Sequence, residues 1–115
     1  MKAELFKVFT EKQIQAIKDC IRFGHWGDTT HMFKGDEQPT PVDGFCTSDI
    51  DRGRHFNSKQ ISGVCSGISR RIRDNNLNWI GYEADAWGDN SGGMIYIHYE
   101  RLDTTLEELI EWSKK

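Results

Sequence analysis

The sequence is poor in the features that usually give a function away. Three cysteines, Cys20, Cys46 and Cys65, make an odd count with no C-x-x-C pair, which argues against a disulfide scaffold or a zinc ribbon and suits a reducing compartment. Prolines number two, Pro39 and Pro41, so helices are free to form elsewhere. No apolar run approaches the roughly 18 residues of a membrane span, and Met1 to Lys7 lacks the apolar stretch of a secretory signal. A soluble, cytoplasmic protein with no membrane partner is expected. The net charge of −3 supplies no global positive field, so long nucleic acid is not an expected partner. Any phosphate must be met by a local patch.

What is present fits one domain, residues 1–115, since a chain of this length supports a single hydrophobic core. Thr10 and Gln13 form a capping box with Phe9 and Ile14 as its hydrophobic staple; Ile14, Ile17, Cys20 and Ile21 give the first helix its stripe, and Gly24 ends it. His25 to Asp43 reads as a long irregular loop. Gly44 to Ser48 has strand character and a turn follows over Asp49 to Gly53. A second helix begins at Asn57 or Ser58, carries Ile61, Val64, Cys65, Ile68 and Ile72 on one face, and stops near Asp74 to Asn76. Leu77 to Ala86 and Gly93 to Arg101 read as the strands of a hairpin turning through Trp87 to Gly92. A last helix opens at Thr104 with Glu107 as box partner. Met1 to Phe9 is a further candidate strand. The expected fold is α+β, a small antiparallel sheet with about three helices packed on it.

The segment with the most chemistry is Asp51-Arg52-Gly53-Arg54-His55-Phe56-Asn57-Ser58-Lys59. Its cations flank a helix start, where unpaired backbone N–H groups and the positive dipole end favour an anion. Arginine adds planar paired donors suited to phosphate. The competing reading is that Arg52 and Arg54 pair with Asp49 and Asp51 or point into water. No phosphate-loop consensus decides between them.

Other features have a structural reading beside the functional one. Gly63 and Gly67, one turn apart on the second helix, point to tight packing or to a ligand's approach. Arg70, Arg71 and Arg73 suit the negative end of that helix. Trp79, Tyr82, Trp87, Tyr96 and Tyr99 form a core or a stacking platform for a base, with Asn90 in the turn and Arg101 beyond the second strand as polar candidates. His25-x-x-Asp28-x-x-His31 matches no standard zinc spacing. Glu83, Asp85, Asp89 and Glu100 are carboxylates that a hairpin could converge on a divalent ion, but no lysine sits where a nuclease of that type needs one. No nucleophile, base or metal set has a local signature, and no cofactor is implied.

Gly44-Phe45-Cys46-Thr47-Ser48-Asp49, Arg54-His55-Phe56 and Lys59-Gln60-Ile61-Ser62-Gly63 together resemble the phage Thoeris anti-defence proteins. The resemblance implies a non-enzymatic protein that assembles as a homo-oligomer and sequesters a cyclic ADP-ribose signal, holding phosphate with arginine and base with an aromatic. Arg54 is the residue it carries over. The expected ligand-binding set, from chemistry and resemblance together, is Arg52, Arg54, His55, Phe56, Lys59, Trp79, Asn90 and Arg101. The alternative is a small protein-interaction factor or inhibitor acting through the aromatic hairpin and the acidic C-terminal helix. A hydrolase using Glu83, Asp85 or the His25 loop is a third reading.

Overall fold

The computed structural model describes residues 3–24, 26–27, 42–84 and 92–115. The first helix, α1 (Glu11–Phe23), starts where the sequence places it. Thr10 Oγ1 accepts the Gln13 N–H at 3.2 Å and Gln13 Oε1 accepts the Thr10 N–H at 2.9 Å, while the Gly24 N–H closes the far end on the Cys20 carbonyl. Such a cap contributes about 1 kcal/mol. α2 (Ser58–Asp74) repeats the device with Asn57 and Gln60. Ile17, Cys20 and Ile21 of α1 and Ile61, Cys65 and Ile68 of α2 are buried.

Four strands, β1 (Trp26–Gly27), β2 (Val42–Cys46), β3 (Ile80–Ala84) and β4 (Gly93–His98), form a sheet of order β1-β2-β4-β3 in which every pair is antiparallel. Register decides which face is core. Phe45, Ile95 and Tyr82 are opposed across β2, β4 and β3, as are Ile97 and Ile80, so they share one face. Phe45, Ile95 and Ile97 are fully buried, each stabilising the fold by roughly 1.5–3 kcal/mol. The fold is therefore α+β, a small antiparallel sheet with helices packed on it.

Several elements differ from expectation. β1 and the start of β2 at Val42 fall within the stretch expected as irregular loop, where backbone pairing overrides the turn-rich composition, and β3 begins at Ile80. Ala3–Val8 is a 3-10 helix where a strand was expected. The three-residue spacing of Phe6 and Phe9, both buried, explains it: i and i+3 eclipse on a 3-10 helix but fall on opposite faces of a strand. β4 stops at His98, because Tyr99–Leu102 turns helical (α3) and buries Leu102 three residues on, before Asp103 ends it at φ 53°. The last helix, α4 (Leu106–Ser113), is capped by Thr105, whose Oγ1 accepts the Glu108 N–H at 3.2 Å; neighbouring Thr104 instead donates to the Glu108 carboxylate. The turn of the β3–β4 hairpin, with Asn90, and the His25, Asp28 and His31 candidates lie outside the described residues.

Candidate anion-binding site

The expected open turn is a 3-10 helix, Thr47–Gly53, lying along α1. It ends at Arg54, whose backbone is left-handed at φ 62°, ψ 15°, with its N–H on the Asp51 carbonyl at 2.9 Å. That conformation costs a residue with a Cβ about 1–2 kcal/mol, so it persists only where neighbours enforce it.

The enforcement comes from two buried carboxylates beneath the loop. Asp49, 5% exposed, holds Arg52 Nε at 3.0 Å. Asp19, 2% exposed on α1, accepts from Gln15 Nε2 at 3.0 Å through one oxygen and contacts His55 Nδ1 at 2.9 Å through the other. Gly53 lies flat on the same carboxylate, where a Cβ would come within 2.2–2.5 Å of its atoms. Arg52 is therefore held by an ion pair, as the structural reading of the sequence had it. Arg54, between the two anchored residues, is exposed and has no side-chain partner among the described residues.

At the start of α2 three backbone donors are already used. Asn57 Oδ1 accepts the N–H groups of Lys59 and Gln60 at 3.0 and 3.1 Å, and Gln60 Oε1 accepts the Asn57 N–H at 2.9 Å. The expectation that these amides wait for an anion is corrected. What the helix start offers is side-chain charge and the dipole end.

That offer is joined by a second helix start. A cleft of about 330 Å³ lies between the beginnings of α1 and α2, lined by Thr10, Lys12, Gln13, Phe56, Lys59, Gln60, Gly63 and Val64. Lysines from both helices border it, with amides beside them and Phe56 and Val64 as apolar surface. The two glycines of α2 have separate reasons. A Cβ on Gly67 would meet Gln13 Nε2 at 2.5 Å, so Gly67 admits close packing of α1. Nothing lies within 4 Å of a Cβ on Gly63, which faces the cleft.

Of the expected ligand residues, Phe56 and Lys59 line this cleft, and Arg54 and His55 stand on the loop leading to it. Trp79 is corrected to a core residue: it is 7% exposed, with Phe6 edge-on at 5.2 Å, and Phe6 in turn stacks on Trp112 at 4.1 Å. The ring packs into the core and does not line the cleft. Arg101 donates to the Asn78 carbonyl, two residues before β3, and does not line the cleft either. Asn90 lies outside the described residues.

Two of the thiols, Cys20 and Cys46, are poor nucleophiles. Burial, followed by the neighbouring Cys65 and Asp19, pushes Cys20 well above the ordinary thiol range, and burial with Asp49 raises Cys46, so both remain protonated. Among the described residues no group of three His, Cys, Asp or Glu is placed to hold a metal. Thr10 and Gln13 were read only as a helix cap, and Lys12 and Asp19 escaped the sequence reading. Asp19 had a signal, a carboxylate immediately beside the apolar positions of α1, whereas Lys12 was hidden as one lysine among many. Compared with known families, curated proteins and solved structures, the chain matches none.

Proposed function

We propose that the protein binds a small phosphorylated nucleotide in the cleft between the starts of α1 and α2 and holds it without converting it. The observation that carries this reading is the convergence of Lys12 and Lys59, from two helix starts, on one cleft with an apolar surface at Phe56. Its volume of about 330 Å³ falls within the usual range of small-molecule sites, roughly 300–1,000 Å³. Ammonium groups and positive helix ends favour phosphate, while half-buried Val64 and the edge that core residue Phe56 leaves at the cleft offer apolar contact to a base or sugar. Arg54, held in a costly backbone conformation without a partner among the described residues, extends the positive surface along the loop. The lining consists of ammonium, amide, hydroxyl and hydrocarbon groups, which supply affinity. Sequestration needs affinity alone.

A cyclic ADP-ribose type of signal is the ligand that the loop's resemblance names, with capture of a host-defence messenger as its consequence. The rival protein-interaction reading has less to stand on. Among the described residues the one exposed large apolar side chain is Phe23, at the end of α1 with Arg22 over its ring, and not on the hairpin.

Calorimetric titration with cyclic ADP-ribose, ADP and AMP tests the proposal. Binding by the wild type, weakened in Lys59→Ala and in Arg54→Ala, with nucleotide recovered unaltered, is the expected result. Equal affinity in all three proteins removes these residues from the site.

A further inference from the structure

Asp19 is the least expected residue under the loop. It is a carboxylate from the middle of α1, 2% exposed, and its partners are an amide, an imidazole and a glycine backbone. An ionised carboxylate only accepts, so the imidazole nitrogen 2.9 Å from it must carry the proton. That fixes Nδ1–H in the neutral ring and leaves Nε2, with its lone pair, as the ring's open position. The His55 side chain is half exposed, so this nitrogen is not locked in the interior. Next to it stands Arg54, whose guanidinium has no partner among the described residues.

We infer that Asp19 is the positioning residue of this loop: by fixing the His55 tautomer it presents Nε2 as an acceptor for a ligand hydroxyl while Arg54 takes the ligand's phosphate. The preferred ligand class is therefore a hydroxylated phosphate ester, of which a ribose phosphate is the obvious member. Phosphate alone satisfies Arg54 but leaves Nε2 without a donor. The ligand half of this inference rests on the reading of the loop as an anion site; the tautomer half stands on geometry.

Glycerol 3-phosphate and propyl phosphate separate the two contributions, since they share phosphate and carbon chain and differ in two hydroxyls. Nitrogen NMR of the neutral His55 ring reads the tautomer, and titration of each ester into the same sample reads affinity. The wild type should show protonated Nδ1 and bind glycerol 3-phosphate up to about tenfold more tightly, the value of one hydrogen bond. His55→Ala should abolish the ratio and keep the affinity for propyl phosphate. Arg54→Ala should weaken both esters equally. Asp19→Asn, which keeps the shape of a buried side chain, should populate the Nε2–H tautomer and shrink the ratio, with circular dichroism confirming the fold. An Nε2–H tautomer in the wild type overturns the role of Asp19. Equal binding of the two esters overturns the hydroxyl preference and leaves the anion site standing; binding of neither overturns both.

Discussion

Among the described residues two clefts of nearly equal size stand at different places, and of the two the one between the helix starts reads as an anion site. The cleft between the starts of α1 and α2, about 330 Å³, presents Lys12 and Lys59 above Phe56 and Val64. The other, about 310 Å³, lies where α3 meets the start of α4 and is lined by Glu100, Asp103, Thr104, Thr105 and Glu108. Volume is the same to within a methyl group or so. Chemistry is not: the second cleft is lined by three carboxylates and two threonines, with no aliphatic or aromatic side chain and no cation, so it repels a phosphate. Concavity is a weak guide, and the charge and apolar surface that line it are what distinguish a candidate.

Residues outside the clefts sharpen the contrast. Trp79 and Arg101, both expected to touch ligand, line neither cleft and are both occupied by the fold. Trp79→Ala should therefore cost about 3–5 kcal/mol of stability, as removal of a large buried ring does, measured by chemical denaturation. In the milder Trp79→Phe, nucleotide affinity should be unchanged. A specific loss of binding in a folded Trp79→Phe protein would return this ring to the site.

At the first cleft the expected effect is on binding. Replacing Lys12 and Lys59 together by Ala should weaken nucleotide affinity by about 10- to 100-fold, taking roughly 1.5–3 kcal/mol for a lost charge-assisted contact. Glu108→Lys, which adds a cation to the other cleft, should leave that affinity alone. Calorimetry reads both. If Glu108→Lys creates a binding site of equal strength, charge alone suffices and the apolar surface at Phe56 is irrelevant.

Arg54→Gly divides stability from function at one position. Glycine adopts the left-handed backbone without the steric cost, so the variant should be as stable as the wild type or up to about 1–2 kcal/mol more stable. It should nevertheless bind phosphate less well. A variant that is destabilised would show that the guanidinium is held by the fold and is not free for ligand.

The smallest effect concerns pH. Burial, and then the charge of Arg101, lowers the pKa of His98 below its ordinary value. The unfolded chain therefore binds this proton more readily than the folded one, and stability falls as pH drops below about 6.5 towards the lowered value. A His98→Gln variant should show a flatter dependence in denaturation curves taken across that window. An identical slope would mean that another group carries it.

Much of the fold was legible because local chemistry and tertiary structure agree. The Thr10–Gln13 and Asn57–Gln60 boxes located both long helices, whereas both faces of β4 are fairly apolar in sequence and packing selected the Ile95 and Ile97 face as core. Legibility failed where one residue's choice depended on distant burial. Thr104 and Thr105 are equivalent as caps in sequence, and packing selected the second. The site was legible only along the chain. Arg54 to Lys59 are contiguous and could be seen together, but no sequence pattern pairs Lys12 with Lys59 or Asp19 with His55, because the packing of α1 on α2 and on the Thr47–Gly53 helix makes those meetings.

The central claim, that the first cleft captures a small phosphorylated nucleotide intact, is tested most directly by native mass spectrometry of the protein mixed with a defined nucleotide set including cyclic ADP-ribose. The account predicts a bound nucleotide of unaltered mass on the wild type and its loss from the Lys12→Ala, Lys59→Ala double variant. A wild-type protein that emerges empty, or that releases a nucleotide of changed mass, contradicts it.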